Sequence, residues 1–571
     1  MYKFRINGIH VNSTNNCPPI APKPINVIIG PNNSGKSRFL KELRDFLSGN
    51  TESLRILDQV DYDAPSTFEA LDTSYNISQR MFRDMHGNWS LRVYSTRPTE
   101  SFDMNTSMES FHARNFHSFS GDWKQQYKEM ISYGDRNAFF YNFGALFFQY
   151  VGTEERLIIS KTQRNYGMDS NSVNYLSAYK YERSLLNELR ENVRKLFGKD
   201  IVLDTQTLGE RIAFRVGPTF DYLAAGFEMD SELAEKLFSE SKLDDQGDGV
   251  KSYVSTFLSL NKKDIDVLLL DEPEAFLHPP LARQLGELIG DAQSSNKQVF
   301  VATHSVEVLK GILTKSQNVN IIRITQPVHG KNEICLLDEN ILKSILQSPL
   351  LRVSRIMEGL FCEKVVITES EADELVYQEL IEKIFPLSGL YFAHGQNKQT
   401  LAEIAALYQK IGISYEIIVD FDVLRISEEL HRFLKLMPLK KQRIQQISQF
   451  ASSLRDIVNN SVDADNLSAE ELSDAQKAKR NTVYHSIGIA FFEESVQVEI
   501  RTILSELTQN HLHVLESGEL ETLLVPHGLP YSGNKKHWIV AAIDRIESLD
   551  ASDLGKDSFI YKFLRSIVSH D

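Results

Sequence analysis

The chain has 571 residues, 42% of them hydrophobic and 24% charged, which is ordinary globular usage and length enough for roughly two to four domains. A single small module is thereby ruled out, and the disordered, collagen-like and coiled-coil-only readings lose most of their weight. A formal net charge of −15 argues against a protein that coats nucleic acid with bulk positive charge, though a local basic groove remains compatible with it. Cys17, Cys335 and Cys362 are far apart with no C-x-x-C spacing, so neither a disulfide framework nor a thiolate zinc site is indicated, and a reducing cytoplasm is expected. The opening MYKFRINGIHVN lacks a basic-then-apolar leader pattern. The most apolar long stretch, Ala138–Val151, is short for a membrane span and carries Asn142 and Gln149, so the chain is expected to be soluble.

The first element predicted is a buried strand over Ile25–Ile29. Gly30-Pro31-Asn32-Asn33-Ser34-Gly35-Lys36-Ser37 follows and satisfies G-x-x-x-x-G-K-[ST] in full. An amphipathic helix then places Phe39, Leu40, Leu43, Phe46 and Leu47 on one face. The glycines let backbone N–H groups turn inward around a phosphate, Lys36 supplies charge to the β/γ oxygens of ATP, and Ser37 offers its hydroxyl to Mg²⁺. Between about 55 and 240 the sequence is irregular and aromatic-rich, with helical spacing over Tyr175–Leu196 but no sustained heptads. Val267–Leu270 then reads as an apolar strand ending in Asp271-Glu272. An acidic pair at the mouth of a buried strand suits Asp271 holding Mg²⁺ and Glu272 polarising the attacking water. A third strand, Gln298–Ala302, ends in Thr303-His304-Ser305, and from there His304 can reach the γ-phosphate.

These three elements resemble the ATP-binding cassette superfamily in its SMC-like branch. The resemblance implies a signature motif that one subunit offers to the nucleotide of another, and therefore ATP sites shared across a dimer. The candidate is Gly247-Asp248-Gly249, heading a helix over Ser252–Leu260; Asp248 stands where a small residue is commoner.

A second block begins with a strand at Lys364–Thr368, followed by Glu369 and, four residues on, Asp373. A further strand, Tyr415–Val419, ends in Asp420-Phe421-Asp422. On an extended backbone these two aspartates would stand about 6–7 Å apart on one face, an arrangement that favours a divalent cation. Ser468-Ala469-Glu470-Glu471 reads as a capping box opening a helix, and farther on stand Glu521 and the pair Lys535-Lys536. Carboxylates plus a lysine suit phosphodiester hydrolysis, with metals activating water and Lys535 or Lys536 screening the phosphate.

This order resembles the Toprim nuclease domain, and a cassette-type ATPase followed by Toprim is similar to the overcoming-lysogenization-defect (OLD) endonucleases, which include the Gabija nuclease-ATPase subunit and retron-attached effectors. The expected fold class is α/β: an ABC/SMC-like P-loop ATPase domain over 1–350, with a helical and irregular insertion at about 55–240 that carries dimerisation elements, then a Toprim-like α/β domain with helical insertions over 351–571. By this resemblance Glu369, Asp373, Asp420, Asp422 and Glu521 hold Mg²⁺ or Mn²⁺ and DNA is cut. The implied partners are a second copy of the chain and an operon-encoded defence component, a retron reverse transcriptase with its hybrid nucleic acid or a helicase. Ser370, where many Toprim domains have glycine, departs from the pattern. It keeps open an alternative: an ATPase scaffold or sensor with a non-catalytic C-terminal domain that controls a separate effector, as in Septu-like pairs.

Overall fold

In the computed structural model the chain divides into two compact units, Met1–Glu339 and Asn340–Asp571. Residues 3–52, 54–75, 77, 81–83, 89–91, 123–134, 136–165, 175–223, 230–263, 265–292, 297–325, 332–338, 340, 343, 355–395, 398–463, 468–532, 535–550 and 553–569 are described. Parts of the expected insertion, and residues 344–354 around the expected domain boundary at 350, lie outside that set.

The N-terminal unit runs β1 (Arg5–Val11), β2 (Ile25–Ile29), α1 (Lys36–Leu47), β3 (Leu57–Asp63), β4 (Phe148–Val151), α2 (Thr153–Ile159), α3 (Asp248–Asn261), β5 (Val267–Asp271), α4 (Pro279–Asp291), β6 (Gln298–Ala302), α5 (Val306–Lys315), β7 (Val319–Thr325) and β8 (Glu333–Leu337). Its main sheet has the order β8-β7-β2-β6-β5-β4 and is parallel except where β8 pairs with β7. Every residue of β2, β5 and β6 is buried, which explains the unbroken apolar runs: strands covered on both faces have no polar side. The amide side chains that open or interrupt these strands, Asn26 and Gln298, are satisfied by the backbone. Gln298 exchanges two hydrogen bonds of 2.8 Å with the backbone of Ile6, and the Asn26 amide donates to Lys23 O at 2.7 Å.

The stretch 55–240 does not stand apart as an insertion throughout. Ala138–Val151 becomes the end of a helix over Arg136–Phe143, a 3₁₀ turn and then β4, which pairs with β5 at the edge of the main sheet. Phe140 packs edge-on against Tyr62 with centroids 4.6 Å apart, and Phe147 stacks on Phe4 at 4.8 Å. Burial against β1, β3 and α1 therefore absorbs this aromatic-rich sequence into the ATPase core. The helix expected over Tyr175–Leu196 is interrupted, forming Tyr175–Tyr179 and Arg183–Phe197. The break is anchored where the buried Tyr179 hydroxyl donates to Leu258 O of α3. Strand Arg211–Gly217 pairs antiparallel with three others, Gln163–Arg164, Asp200–Asp204 and Ser241–Lys242, making a separate small sheet.

The C-terminal unit runs β9 (Lys364–Thr368), α6 (Glu371–Ile384), β10 (Tyr391–His394), α7 (Lys398–Lys410), β11 (Ser414–Val419), α8 (Lys441–Asn460), α9 (Ala469–Thr482), β12 (Leu512–Val514), α10 (Lys535–Ser548) and α11 (Phe559–Val568). Its four strands are all parallel, in the order β10-β9-β11-β12. Because β9 connects onward to one side and β11 lies on the other, the chain reverses direction across the sheet between β9 and β11. Such a switch point opens a crevice at the carboxyl ends of the strands. Helices α8 and α9 are inserted before β12, and Ser468 with Glu471 forms the capping box at the start of α9. Among the described residues no helix is long and apolar enough to cross a membrane.

At the amino-terminal side of this sheet, the fully buried Glu416 of β11 meets His513 Nε2 at 2.8 Å, His511 Nδ1 at 3.2 Å and Lys364 Nζ at 3.3 Å. His513 and Lys364 also reach α11, through Ser566 Oγ and Ile567 O. Burial alone would push the Glu416 carboxyl up; the hydrogen bonds from both histidines and the nearby charges outweigh it and hold it at about 2. The stabilisation is thus present above the ordinary glutamate value of 4.5 and is lost as pH falls from there towards 2. Glu416→Gln should lower stability by roughly 3 kcal/mol at neutral pH, and the difference from wild type in thermal unfolding should shrink on acidification below about pH 4. An unchanged unfolding midpoint at pH 7 would contradict this.

Candidate functional site

The phosphate loop lies between β2 and α1, where Gly30 (φ 145), Asn33 (φ 61) and Gly35 (φ 100) take left-handed or related conformations. Glycine is required at position 30 for a second reason: a Cβ there would stand 2.0 Å from Ile324 O of β7. Lys36, the first residue of α1, is buried and donates to Gly30 O at 2.8 Å and Pro31 O at 2.6 Å. Burial lowers its pKa to about 8 against the opposing charges of Glu272, Glu274 and Asp271. The Asn332 amide donates to Ser34 O at 2.7 Å. The surrounding cleft, about 820 Å³, is lined by residues 32–38 with Glu272, His304 and Asn332 among others, a volume suited to a nucleotide.

Asp271 ends β5 beside this cleft, accepting from Tyr150 OH at 2.8 Å through Oδ2, while its Oδ1 is buried with no hydrogen-bond donor. An orphaned carboxylate oxygen on a residue within electrostatic range of Lys36, the neighbour of Ser37, fits a hard divalent cation. Glu272 adopts φ 49, a conformation a non-glycine residue holds only when its surroundings enforce it. Arg156 of α2, fully buried, supplies the clamp: its guanidinium donates to Asp271 O and Glu272 O, each at 2.6 Å. The Glu272 carboxylate lies 3.0 Å from His304 Nε2. Burial and the Lys36 charge hold the His304 imidazole below its usual value, with Glu272 pulling the other way. Glu274 braces the same strand end, accepting from Thr303 Oγ1 at 2.7 Å and from His304 N at 2.8 Å.

Glu272 and His304 thus converge with the phosphate loop, as their positions after β5 and β6 predict. Gly247 is the N-cap of α3 and Gly249 lies in its first turn, where a Cβ would meet Phe276 O at 2.9 Å. Neither is among the residues that line the cleft of their own chain. Tyr150, Arg156, Glu274 and Asn332 escape the sequence reading, because none belongs to a spaced motif. Tyr150 and Arg156 flank the end of β4, and only recognising Ala138–Val151 as part of the ATPase sheet would point to them.

In the C-terminal unit the acids gather at the switch-point crevice. Glu369 follows β9 and Asp420 follows β11; Asp422 sits in a 3₁₀ turn over Phe421–Leu424, not on extended backbone. The strand ends at Val419, so the expected alternation of Asp420 and Asp422 along a strand is replaced by a turn that buries Asp422. Asp373 commits Oδ2 to a capping box, accepting from Ser370 N at 2.9 Å and Ser370 Oγ at 2.8 Å, which gives Ser370 a structural role. Glu521 is buried in the turn Leu520–Thr522. Lys535 and Lys536 open α10, but their side chains lie outside the described set.

Two groups show how closely these acids approach one another. Burial, together with the charges of Asp420, Asp373 and Glu521, pushes the Tyr377 phenol well above its ordinary value. Lys398, at the start of α7 and absent from the sequence reading, pairs with Asp422 and lies 3.7 Å from Glu369 Oε2. Burial would lower its pKa, but Asp422, Glu369 and Asp420 raise it. Among the described residues no group of three or more His, Cys, Asp or Glu side chains is already disposed to hold a metal ion. The carboxylate donor set nevertheless fits a hard cation, and the chain's own ammonium already stands among three of its members.

The fold and these sites define a P-loop ATPase domain on a mostly parallel sheet joined in one chain to a TOPRIM-type domain. The family model of the AAA domain described as putative AbiEii toxin, type IV TA system, matches residues 25–310, and that of the overcoming-lysogenization-defect-protein-like TOPRIM domain matches 360–422. The chain belongs to this AAA family, whose model spans half its length, and carries the OLD-like TOPRIM domain beside it. It is 24% identical over 281 residues to the Old nuclease of Escherichia phage P2, covering 46% of this chain and 44% of the relative. It is 30% identical over 176 residues to a putative ABC transporter ATP-binding protein of Methanosarcina acetivorans, covering 28% of this chain and 60% of that one. An SMC head bound to the C-terminal winged-helix domain of ScpA aligns at 13% identity with a TM-score of 0.34, over 60% of this chain and 100% of that one.

Because free Lys36 titrates at about 8 and a bound phosphate keeps it charged, ATP binding at about pH 9 should take up close to one proton, and affinity should fall by at most about tenfold per pH unit above pH 8. Calorimetry in buffers of different ionisation enthalpy reads the uptake. Lys36→Met should abolish both the uptake and most of the binding; binding without proton uptake in wild type at pH 9 would contradict the assignment.

Proposed function

We propose that the protein is an ATP-regulated, divalent-metal-dependent DNA endonuclease of the OLD type that acts in prokaryotic anti-phage defence. The observation that carries this reading is the convergence of Glu369, Asp420 and Asp422 at the switch point of a TOPRIM-type sheet, in a chain that also holds a complete phosphate loop with Asp271, Glu272 and His304 at its mouth.

At the ATP site, Gly30–Ser37 cradle the phosphates, Lys36 exchanges its two carbonyl partners for phosphate oxygens, and Ser37 and Asp271 hold Mg²⁺. Glu272, fixed by Arg156 and touching His304, orients the water that attacks the γ-phosphate. Gly247 and Gly249 at the head of α3 offer backbone N–H groups to the nucleotide of a second copy, so ATP sites are shared in a homodimer or higher homo-oligomer, with dimerisation elements within 55–240. In the C-terminal unit Glu369, Asp373, Asp420, Asp422 and Glu521 hold Mg²⁺ or Mn²⁺, and Lys535 or Lys536 screens the scissile phosphate. Bound there, divalent ions activate water and stabilise the leaving oxygen. Nucleotide state gates cleavage in the cytoplasm, with an operon-encoded partner, a retron reverse transcriptase carrying its hybrid nucleic acid or a helicase, supplying the trigger.

One observation favours a second reading, an ATPase scaffold or sensor with a non-catalytic C-terminal domain: Lys398 already pairs with Asp422 in the acid crevice. Cleavage of supercoiled plasmid with Mg²⁺ or Mn²⁺ separates the two. Asp420→Ala should lower the cleavage rate on the order of 100-fold while leaving ATP hydrolysis unchanged. Equal cutting by wild type and Asp420→Ala would remove the site assignment, and no cutting by either would favour the scaffold.

A further inference from the structure

Lys398 is an improbable place for a buried ammonium. It is the first residue of α7, where the helix dipole presents its positive end and disfavours a cation, and its side chain is only 9% exposed. Desolvation adds to that penalty. Lysine is retained there through the carboxylates it meets: Asp422 in direct contact, Glu369 at 3.7 Å and Asp420 within electrostatic range. These acids belong to three different segments, the ends of β9 and β11 and the turn after β11, so the ammonium sits at the centre of the crevice and not at its rim.

We propose that Lys398 is a built-in competitor of divalent cations: its ammonium holds Asp422 and Glu369 in the metal-free protein, and a divalent ion takes those oxygens only by displacing it. This inference rests on the metal-centre reading of the C-terminal unit and adds a residue that no motif assigns to it. The formal charge supports the exchange. One ammonium faces three carboxylates, Glu369, Asp420 and Asp422, so it offsets a third of their formal charge; the remainder still draws a cation, but the oxygens nearest the switch point are occupied. Metal loading is therefore weaker than the donor set alone would give, and the centre stays empty until metal, or metal together with a phosphodiester, replaces the lysine.

The test is Mn²⁺ binding to the nucleotide-free full-length chain, followed by calorimetry and by the electron paramagnetic resonance of free Mn²⁺, for wild type, Lys398→Met, Lys398→Arg and Asp420→Asn. The binding event lost in Asp420→Asn identifies the C-terminal centre. Lys398→Met should tighten that event about tenfold or more and should increase the rise in thermal unfolding midpoint that saturating Mn²⁺ produces. Lys398→Arg, which keeps the charge, should stay within about threefold of wild type. If Lys398→Met does not fold, Lys398→Gln carries the same expectation. Mn²⁺ affinity in the neutral variant no tighter than in wild type overturns the competition while leaving the metal centre standing. Absence of any Asp420-dependent Mn²⁺ binding in wild type and in the neutral variant overturns the metal centre itself.

Discussion

Both halves of the molecule are organised around a lysine at the first position of a helix, facing carboxylates at the carboxyl ends of neighbouring parallel strands. Lys36 opens α1 after β2, and Lys398 opens α7 after β10. In each case the helix dipole and burial oppose the positive charge, and acids delivered by adjacent strands oppose that penalty. The two solutions differ in one respect. Lys36 bonds only to the neutral carbonyls of Gly30 and Pro31, and its pKa falls to about 8; Lys398 pairs directly with Asp422, and its pKa rises. A lysine held by carbonyls is poised to accept an anion. One held by carboxylates is already matched, and it guards those carboxylates against other cations.

The remaining architecture serves to bring such strand ends together. Parallel strands need crossovers and full cover on both faces, which is why β2, β5 and β6 are apolar at nearly every position and why acids appear abruptly where the strands emerge. The same rule makes the carboxyl edge of each sheet a place where charge is gathered from several segments at little expense of the core. Arg156 shows how much second-layer structure that edge needs: one buried guanidinium fixes two consecutive carbonyls and with them the left-handed Glu272.

This division also explains what the sequence disclosed and what it concealed. The phosphate loop, the strand-end pair Asp271-Glu272, His304 and the acids after β9 and β11 were legible because each is a short contiguous pattern whose spacing carries the chemistry. Tyr150, Arg156, Glu274 and Lys398 were not, because their roles arise from contacts between residues far apart in the chain, as with Lys398 and Asp422, 24 apart, and Arg156 and Asp271, 115 apart, or from lone charges with no local pattern. Ala138–Val151 was read only as too short for a membrane span, and its place in the sheet stayed hidden for a related reason. Its apolar run satisfies helix, turn and edge strand equally, and only the free side of β5 decides which residues become β4. The Asp420/Asp422 pair was placed correctly in the chain but on the wrong backbone, since a 3₁₀ turn and a strand both tolerate D-x-D.

The net charge of −15 takes on a different meaning in this setting. A bulk negative charge would repel a polyanion, yet the acids that matter are not exposed as a field: Asp271 and Asp422 are buried, and Glu272 leans on His304. Their charge is met locally by Arg156, Lys36 and Lys398, so the strand-end clefts are less negative than the composition implies. What remains is charge that a compact divalent ion can balance and a monovalent side chain cannot, because one ammonium cannot satisfy carboxylates converging from several directions. On the proposed metal-centre reading, the acids at these strand ends serve as an affinity for metal and, through metal, for phosphate. The two lysines set how readily each cleft expresses it, Lys36 by remaining available and Lys398 by being engaged.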